Sequence, residues 1–207
     1  MEEIQKLDFT KPFLCMVNGL TDSGKSTGLQ YILSRITNQR IAIVDYHNEY
    51  GKLDHMPNLD RFVPNPKEKN NKDARMKFLK STLRTIKKMG YDIIVLEEFN
   101  QYVKTRHDTP DILEDLKNNH AHEGWNNCKA FFVMRRPTQT DSDFDENAHY
   151  MLIWRVTGRR TLNLYRDEVN GLDKAVELLD DFEFVFVDRD NAYYTVSPVP
   201  ENIQKDI

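Results

Sequence analysis

The segment Gly19-Leu20-Thr21-Asp22-Ser23-Gly24-Lys25-Ser26 constrains this chain more than any other. It fits G-x-x-x-x-G-K-[ST], the P-loop pattern, and its flanks agree with it. Before it, Phe13–Val17 (FLCMV) is a continuous apolar run, as expected of a strand buried on both faces of a parallel sheet. After it, Leu29, Ile32, Leu33 and Ile36 form one apolar stripe at helical spacing. A strand, a glycine turn and a helix in that order aim successive backbone N–H groups, and the positive end of the helix, at one point. That geometry suits phosphate. Thr21, Asp22, Ser23, Gly24, Lys25, Ser26 and Thr27 are the candidate nucleotide-binding residues. Lys25 would reach the β- and γ-phosphates of ATP, and the Ser26 hydroxyl would ligate Mg²⁺. The alternative is a chance glycine turn, and both flanks stand against it.

The second half of such a site is expected at the end of a nearby strand. Ile93–Leu96 (IIVL) is an apolar run that ends in Glu97 and Glu98, a Walker B pattern. Glu97 would hold the metal and Glu98 would polarise the attacking water as general base, or the two roles are exchanged. The alternative is a pair of solvated acids after a strand. Two further apolar runs, Ile41–Val44 and Phe131–Met134, read as buried strands. Lys72–Met89 reads as a helix with Met76, Leu79, Leu83, Ile86 and Met89 on one face, stopped by Gly90. Pro110 to His122 reads as a helix, and Gly51 to Asn71, rich in Pro and Asn, as loop.

Strands alternate with helices to about residue 135, which predicts a parallel α/β sheet with right-handed crossovers. After that point short strands dominate. Met151–Val156 and Leu162–Tyr165 flank Thr157-Gly158-Arg159-Arg160 like the arms of a hairpin. Leu172–Leu179 reads as a short helix, and Phe182–Val187 with Tyr193–Val196 as a last strand pair. The expected fold is a three-layer, RecA-like P-loop domain spanning residues 1–207. Its central sheet is mainly parallel, with an antiparallel C-terminal extension, and one strand separates the P-loop strand from the Walker B strand.

Bulk properties narrow the function classes. The chain has 207 residues, 39% of them hydrophobic and 30% charged, which is ordinary for a globular protein. Its net charge of −4 and pI of about 5.9 argue against standing, high-affinity nucleic-acid binding, and leave room for a transient grip through a local patch. The two cysteines, Cys15 and Cys128, make no C-x-x-C pair. His120 and His122 do not have metal-site spacing. No signal-like block and no membrane-length apolar run is present, so a reducing cytoplasm is expected.

Four strand-end motifs, over roughly residues 11 to 156, together resemble the FtsK/HerA superfamily of ATPases. They are the P-loop, Ile41-Ala42-Ile43-Val44-Asp45-Tyr46-His47-Asn48-Glu49-Tyr50, the IIVLEEF segment, and FFVMRRP at Phe131–Pro137. In the second of these, Asn48 stands where the superfamily has Gly. In the fourth, Arg135 stands where it has a γ-phosphate-sensing Gln. The compact chain is most similar to the genome-packaging ATPases of membrane-containing icosahedral viruses, archaeal ones included. That resemblance implies a ring-shaped homo-oligomer that translocates double-stranded DNA into a preformed capsid, with capsid or membrane proteins as neighbours at the packaging vertex. It also implies catalytic roles for Lys25, Glu98 and Arg135, the last as γ-phosphate sensor or as a finger into a neighbouring subunit. The superfamily's arginine before the fourth strand has no counterpart in Asn118–Gly124. A trans-acting arginine would then be Arg106, Arg136, Arg155, Arg159 or Arg160, each of which also reads as an ordinary surface residue.

Other features carry two readings each. Lys72, Arg75, Lys77, Lys80, Arg84, Lys87 and Lys88 make one helix strongly basic, for DNA phosphates or simply for water. Arg159 and Arg160 at a hairpin tip would suit contact with a DNA backbone. Asp45 and Glu49 either position water or metal, or act as a turn cap and a surface acid. Two other functions fit a P-loop chain of this length. A nucleotide kinase would need an arginine-rich lid and would transfer phosphate to an acceptor other than water. An ATP-dependent assembly scaffold would bind ATP without turning it over.

Overall fold

The structure is a computed structural model that describes residues 7–103, 110–117, 125, 128–135 and 142–199. Its centre is a sheet of eight strands in the order β3-β2-β4-β5-β1-β6-β7-β8. These are β1 (Phe13–Asn18), β2 (Ile41–Val44), β3 (Leu59–Phe62), β4 (Ile93–Leu96), β5 (Lys129–Met134), β6 (Tyr150–Trp154), β7 (Glu183–Asp188) and β8 (Tyr193–Pro198). The first six in chain order run parallel, and β7 and β8 are antiparallel to their neighbours. One strand, β5, lies between β1 and β4, as expected.

Alternation along the apolar strands sends side chains to two cores. Leu14 and Met16 of β1 join one core, on which α3 (Lys72–Met89) lays Leu79, Leu83 and Ile86. Phe13, Cys15 and Val17 join the other, on which α1 (Lys25–Ser34) lays Leu29, Ile32 and Leu33. Three layers result, with α1 on one face and α3 on the other. The ends of α3 follow from its sequence: Asn71 accepts from the N–H groups of Asp73 and Ala74, and Gly90 takes φ 65° at the C-cap. The first core also takes in Leu113 and Leu116 of α4 (Asp111–Lys117). The expected extension of that helix to His122 lies outside the described residues.

Three expectations are corrected. Residues 51–71 are not plain loop: they hold most of a one-turn 3₁₀ helix (Tyr50–Leu53), edge strand β3 and the short helix α2 (Pro66–Asn70). Asn65, Pro66 and Asn71 there start helices. Asn65 accepts from the N–H groups of Lys67 and Glu68, Glu68 answers the Asn65 N–H, and Pro66 opens the first turn. Residues 162–165 are helix, not strand. Gly158, at φ 105°, ends the extended chain, and α6 (Arg159–Glu168) follows with Thr161 and Tyr165 buried one turn apart. Arg159 and Arg160 accordingly sit at the start of a helix, not at a hairpin tip. The strand before them, β6, is parallel to β1, so the antiparallel extension consists of β7 and β8 alone. The helix expected at Leu172–Leu179 is α7 (Leu172–Glu177). A fifth helix in chain order, α5 (Ser142–Glu146), precedes β6.

Candidate active site

Parallel strands end on the same edge of a sheet, so the segments after β1, β2, β4 and β5 emerge together. After β1 the chain turns sharply. Asp22 (φ 60°) and Gly24 (φ 85°) adopt left-handed backbone before α1 begins at Lys25. A Cβ on Gly24 would lie 2.6 Å from the Phe182 ring, and one on Gly19 would lie 2.7 Å from Trp154 Cβ. Glycine is thus required at both ends of the turn. The Leu20 N–H donates to the Arg155 carbonyl at 3.1 Å, which ties the loop to the chain beyond β6. The Ser23 hydroxyl donates to the Leu20 carbonyl at 2.9 Å.

A cavity of about 350 Å³ opens over this loop. Of the sequence-predicted residues, Thr21, Asp22, Gly24, Lys25, Ser26, Thr27, Glu97, Glu98 and Arg135 line it. Ser23 does not; it is buried and braces the loop from within. Glu49, the weaker candidate from the sequence, lines it as well, and Leu20 and Phe182 are added. Arg106 and Arg136 lie outside the described residues. Arg155 is paired with Asp181 at 3.2 Å.

Glu49 reaches the cavity because the loop after β2 is pinned. Asp45, fully buried, accepts from the N–H groups of Glu49 (2.9 Å) and Tyr50 (3.0 Å) and from Arg61 Nη1 (2.8 Å). Arg61 also holds Asn48 Oδ1 at 2.8 Å and both oxygens of Asp54. Asn48 takes φ 64°, a conformation that Asn tolerates and Gly prefers, which accounts for Asn in a glycine position. Asp45 is therefore the turn cap. Glu49 is no mere surface acid, because its Oε2 accepts the Ser26 hydroxyl at 2.5 Å.

The electrostatics are those of crowded acids. Burial, then the neighbouring charges of Glu98 and Glu49, push the Glu97 carboxyl up to about 9, with Lys25 opposing. Glu98 is 3% exposed, and its backbone sits at φ 50°, ψ 46°. Its Oε1 accepts from Arg135 Nε at 2.8 Å and lies 3.5 Å from His47 Nε2. The Glu98 carboxylate in turn raises the proton affinity of Arg135. One oxygen each of Glu97 and Glu98, both Oε2, is buried and accepts no hydrogen bond from any described residue. Buried carboxylate oxygens without donors are costly, and hard oxygen donors beside a serine hydroxyl suit Mg²⁺. The residues present fit that ion.

His47, Arg61 and Phe182 went unassigned in the sequence. His47 had a faint signal, since it lies in the motif that follows the second strand; Arg61, on edge strand β3, had none. Phe182 had none, because its approach to Gly24 is made only by the folded sheet.

The basic helix α3 is less uniform than its sequence. Lys77, Lys80, Arg84 and Lys88 are exposed, whereas Arg75 donates to the Tyr46 hydroxyl at 3.0 Å and Lys87 pairs with Asp115 at 3.3 Å. Among the described residues, no helix is long and apolar enough to cross a membrane.

No protein-family model matches the chain, and no curated protein does. Solved structures do. The DNA-packaging ATPase B204 of Sulfolobus turreted icosahedral virus superposes with a TM-score of 0.71 at 15% identity, over 92% of this chain and 100% of that one. The genome-packaging NTPase B204 of Sulfolobus turreted icosahedral virus 2, in complex with AMPPCP, gives 0.68 at 15% identity, over 92% and 98%. The pCW3 conjugation coupling protein TcpA with ATPγS gives 0.60 at 16% identity, over 96% of this chain and 66% of that one. At these identities the likeness is one of fold: this chain has the α/β P-loop fold of the genome-packaging ATPases that its strand-end motifs resemble.

Proposed function

We propose that this chain is a Mg²⁺-dependent ATPase that works as a ring-shaped homo-oligomer and drives double-stranded DNA, packaging a viral genome into a preformed capsid. The observation that carries the reading is that Lys25, Ser26, Glu97, Glu98 and Arg135, drawn from three strand ends, line one cavity. The fold shared with two viral packaging ATPases and a conjugation coupling protein supports the DNA half of it. A host cytoplasm is the setting that follows, with capsid or membrane proteins at the packaging vertex as neighbours.

In this reading the backbone N–H groups of Thr21–Ser26 cradle the β-phosphate, and Lys25 spans the β- and γ-phosphates. Ser26 and Glu97 hold Mg²⁺, which supplies charge neutralisation at the phosphates when bound. Glu49 accepts the hydrogen bond of the Ser26 hydroxyl, which would leave the Oγ lone pairs available to the ion. Glu98 accepts the proton of the attacking water, and Arg135 offers its charge to the γ-phosphate. An arginine of the next protomer, Arg155, Arg159 and Arg160 being described candidates, completes the charge compensation.

Phosphate release from Mg-ATP, with and without double-stranded DNA, tests the proposal. Glu98→Gln should lower kcat roughly 10²- to 10⁴-fold while nucleotide binding persists. Lys25→Ala should weaken binding itself. Release to water without an acceptor separates the reading from a kinase, and turnover in the assembled state separates it from a scaffold. An assembled wild-type protein that binds ATP and releases no phosphate with DNA present would overturn it.

A further inference from the structure

Glu98 is held by side chains from two other strand ends. Arg135, at the end of β5, donates to Oε1 at 2.8 Å, and His47, after β2, brings Nε2 to 3.5 Å from the same oxygen. The backbone beneath is fixed. Glu98 is the left-handed cap of a one-turn 3₁₀ helix (Phe99–Gln101), and its carbonyl accepts the Gln101 N–H at 2.7 Å. The His47 ring is steadied edge-on by Tyr46 at 5.0 Å, and the Tyr46 hydroxyl is itself bonded to Arg75.

In the site as it stands, the Arg135 guanidinium occupies Oε1 of the proposed base at 2.8 Å, so that oxygen is engaged with a cation and not with a water molecule. Arg135 is the more exposed partner of the two. Its side chain is 45% exposed against 4% for Glu98, and it lines the phosphate cavity. A terminal phosphate brings more charge and three oxygens, and it competes for the guanidinium on favourable terms.

We infer that Arg135 is a positioning residue that holds Glu98 in the nucleotide-free site and transfers its guanidinium to an arriving γ-phosphate, leaving His47 to keep Glu98 aimed. The base is released only when there is a phosphoryl group to attack. This rests on the reading of Glu98 as the base.

Calorimetric titration with Mg-ATPγS and Mg-ADP tests it. Removing the competitor in Glu98→Gln should tighten ATPγS by about fivefold and leave ADP unchanged, and the gain should vanish in the Arg135→Met background. An unchanged ATPγS-to-ADP ratio, or a gain that persists without Arg135, overturns the transfer. His47→Ala should lower kcat with KM unchanged, and His47→Gln, which keeps a donor, should restore it. Equal loss in both variants overturns the part assigned to His47. Failure of the wild type to bind either nucleotide would instead strike the P-loop reading beneath, an outcome that these titrations distinguish.

Discussion

Arg61 joins stability to the site, and its removal gives two effects of separable size. In Arg61→Met the buried Asp45 keeps its two backbone N–H donors, from Glu49 and Tyr50, and loses its only ion-pair partner among the described residues. Breaking a buried ion pair from one side costs about 3–5 kcal/mol, and the two surviving donors place this case near about 3 kcal/mol. The arm of Arg61 that grips Asp54 lies at the surface, with that carboxylate 59% exposed, so Asp54→Asn should change stability little. Urea denaturation reads both, with the m-value unchanged if only stability moves. Asp45→Asn added to Arg61→Met should recover part of the loss, because the stranded charge is gone. The loop that Arg61 pins also carries Glu49 to Ser26, so Mg-nucleotide affinity should fall in Arg61→Met and hold in Asp54→Asn. If Arg61→Met proved no more damaging than Asp54→Asn, the claim that a buried charge organises this loop would be wrong.

Gly24→Ala should cost about 2–4 kcal/mol, from left-handed strain of about 1–2 kcal/mol and overpacking against Phe182; a thermal melt in the Phe182→Ala background should recover the second part, and equal losses in both backgrounds would refute the division. The Glu97 carboxyl, pushed up to about 9 when folded against an ordinary 4.5, holds a proton between those values that the unfolded chain has lost. Stability of the nucleotide-free protein should therefore fall as pH rises from about 5 to 9, by at most about 1.4 kcal/mol per pH unit, and Glu97→Gln should flatten that slope. Mg-ATP binding at neutral pH should release a proton, seen by calorimetry in buffers of different ionisation heat, and no release would sink the Glu97 assignment.

What the sequence made legible was whatever a buried parallel strand imposes on its residues. FLCMV, IAIV, IIVL and FFVM are apolar throughout because both faces are covered, and each emerged as a strand. The α3 boundaries were legible because Asn71 and Gly90 act locally. β3 was hidden because an edge strand needs no apolar run: in LDRF only Leu59 is buried. α6 was hidden because Leu162-Asn163-Leu164-Tyr165 alternates like a strand, and only the burial of Thr161 and Tyr165 reveals the helical period. The meeting of the P-loop with Glu97, Glu98 and Arg135 was readable because strand ends share one edge. The contact of Phe182 with Gly24 joins segments far apart in the chain, and those of Arg61 need β3 paired beside β2; no local pattern encodes either.

The charge balance of the cavity argues for what can enter it. Asp22, Glu49, Glu97 and Glu98 face Lys25 and Arg135 across the same lining. A free triphosphate entering this cavity would meet the charges of Asp22, Glu49 and Glu98, with Glu97 protonated, and one of the two opposing cations is already engaged with Glu98. With the acids turned toward a divalent ion, the same carboxylates become attractive. In the proposed function, a cavity built this way would select the metal complex over the bare nucleotide. On the proposed transfer of Arg135, it would also favour a terminal phosphate over a diphosphate end. The excess of acid that looks unfavourable for an anion site is, on this argument, what makes hydrolysis conditional on the correct ligand.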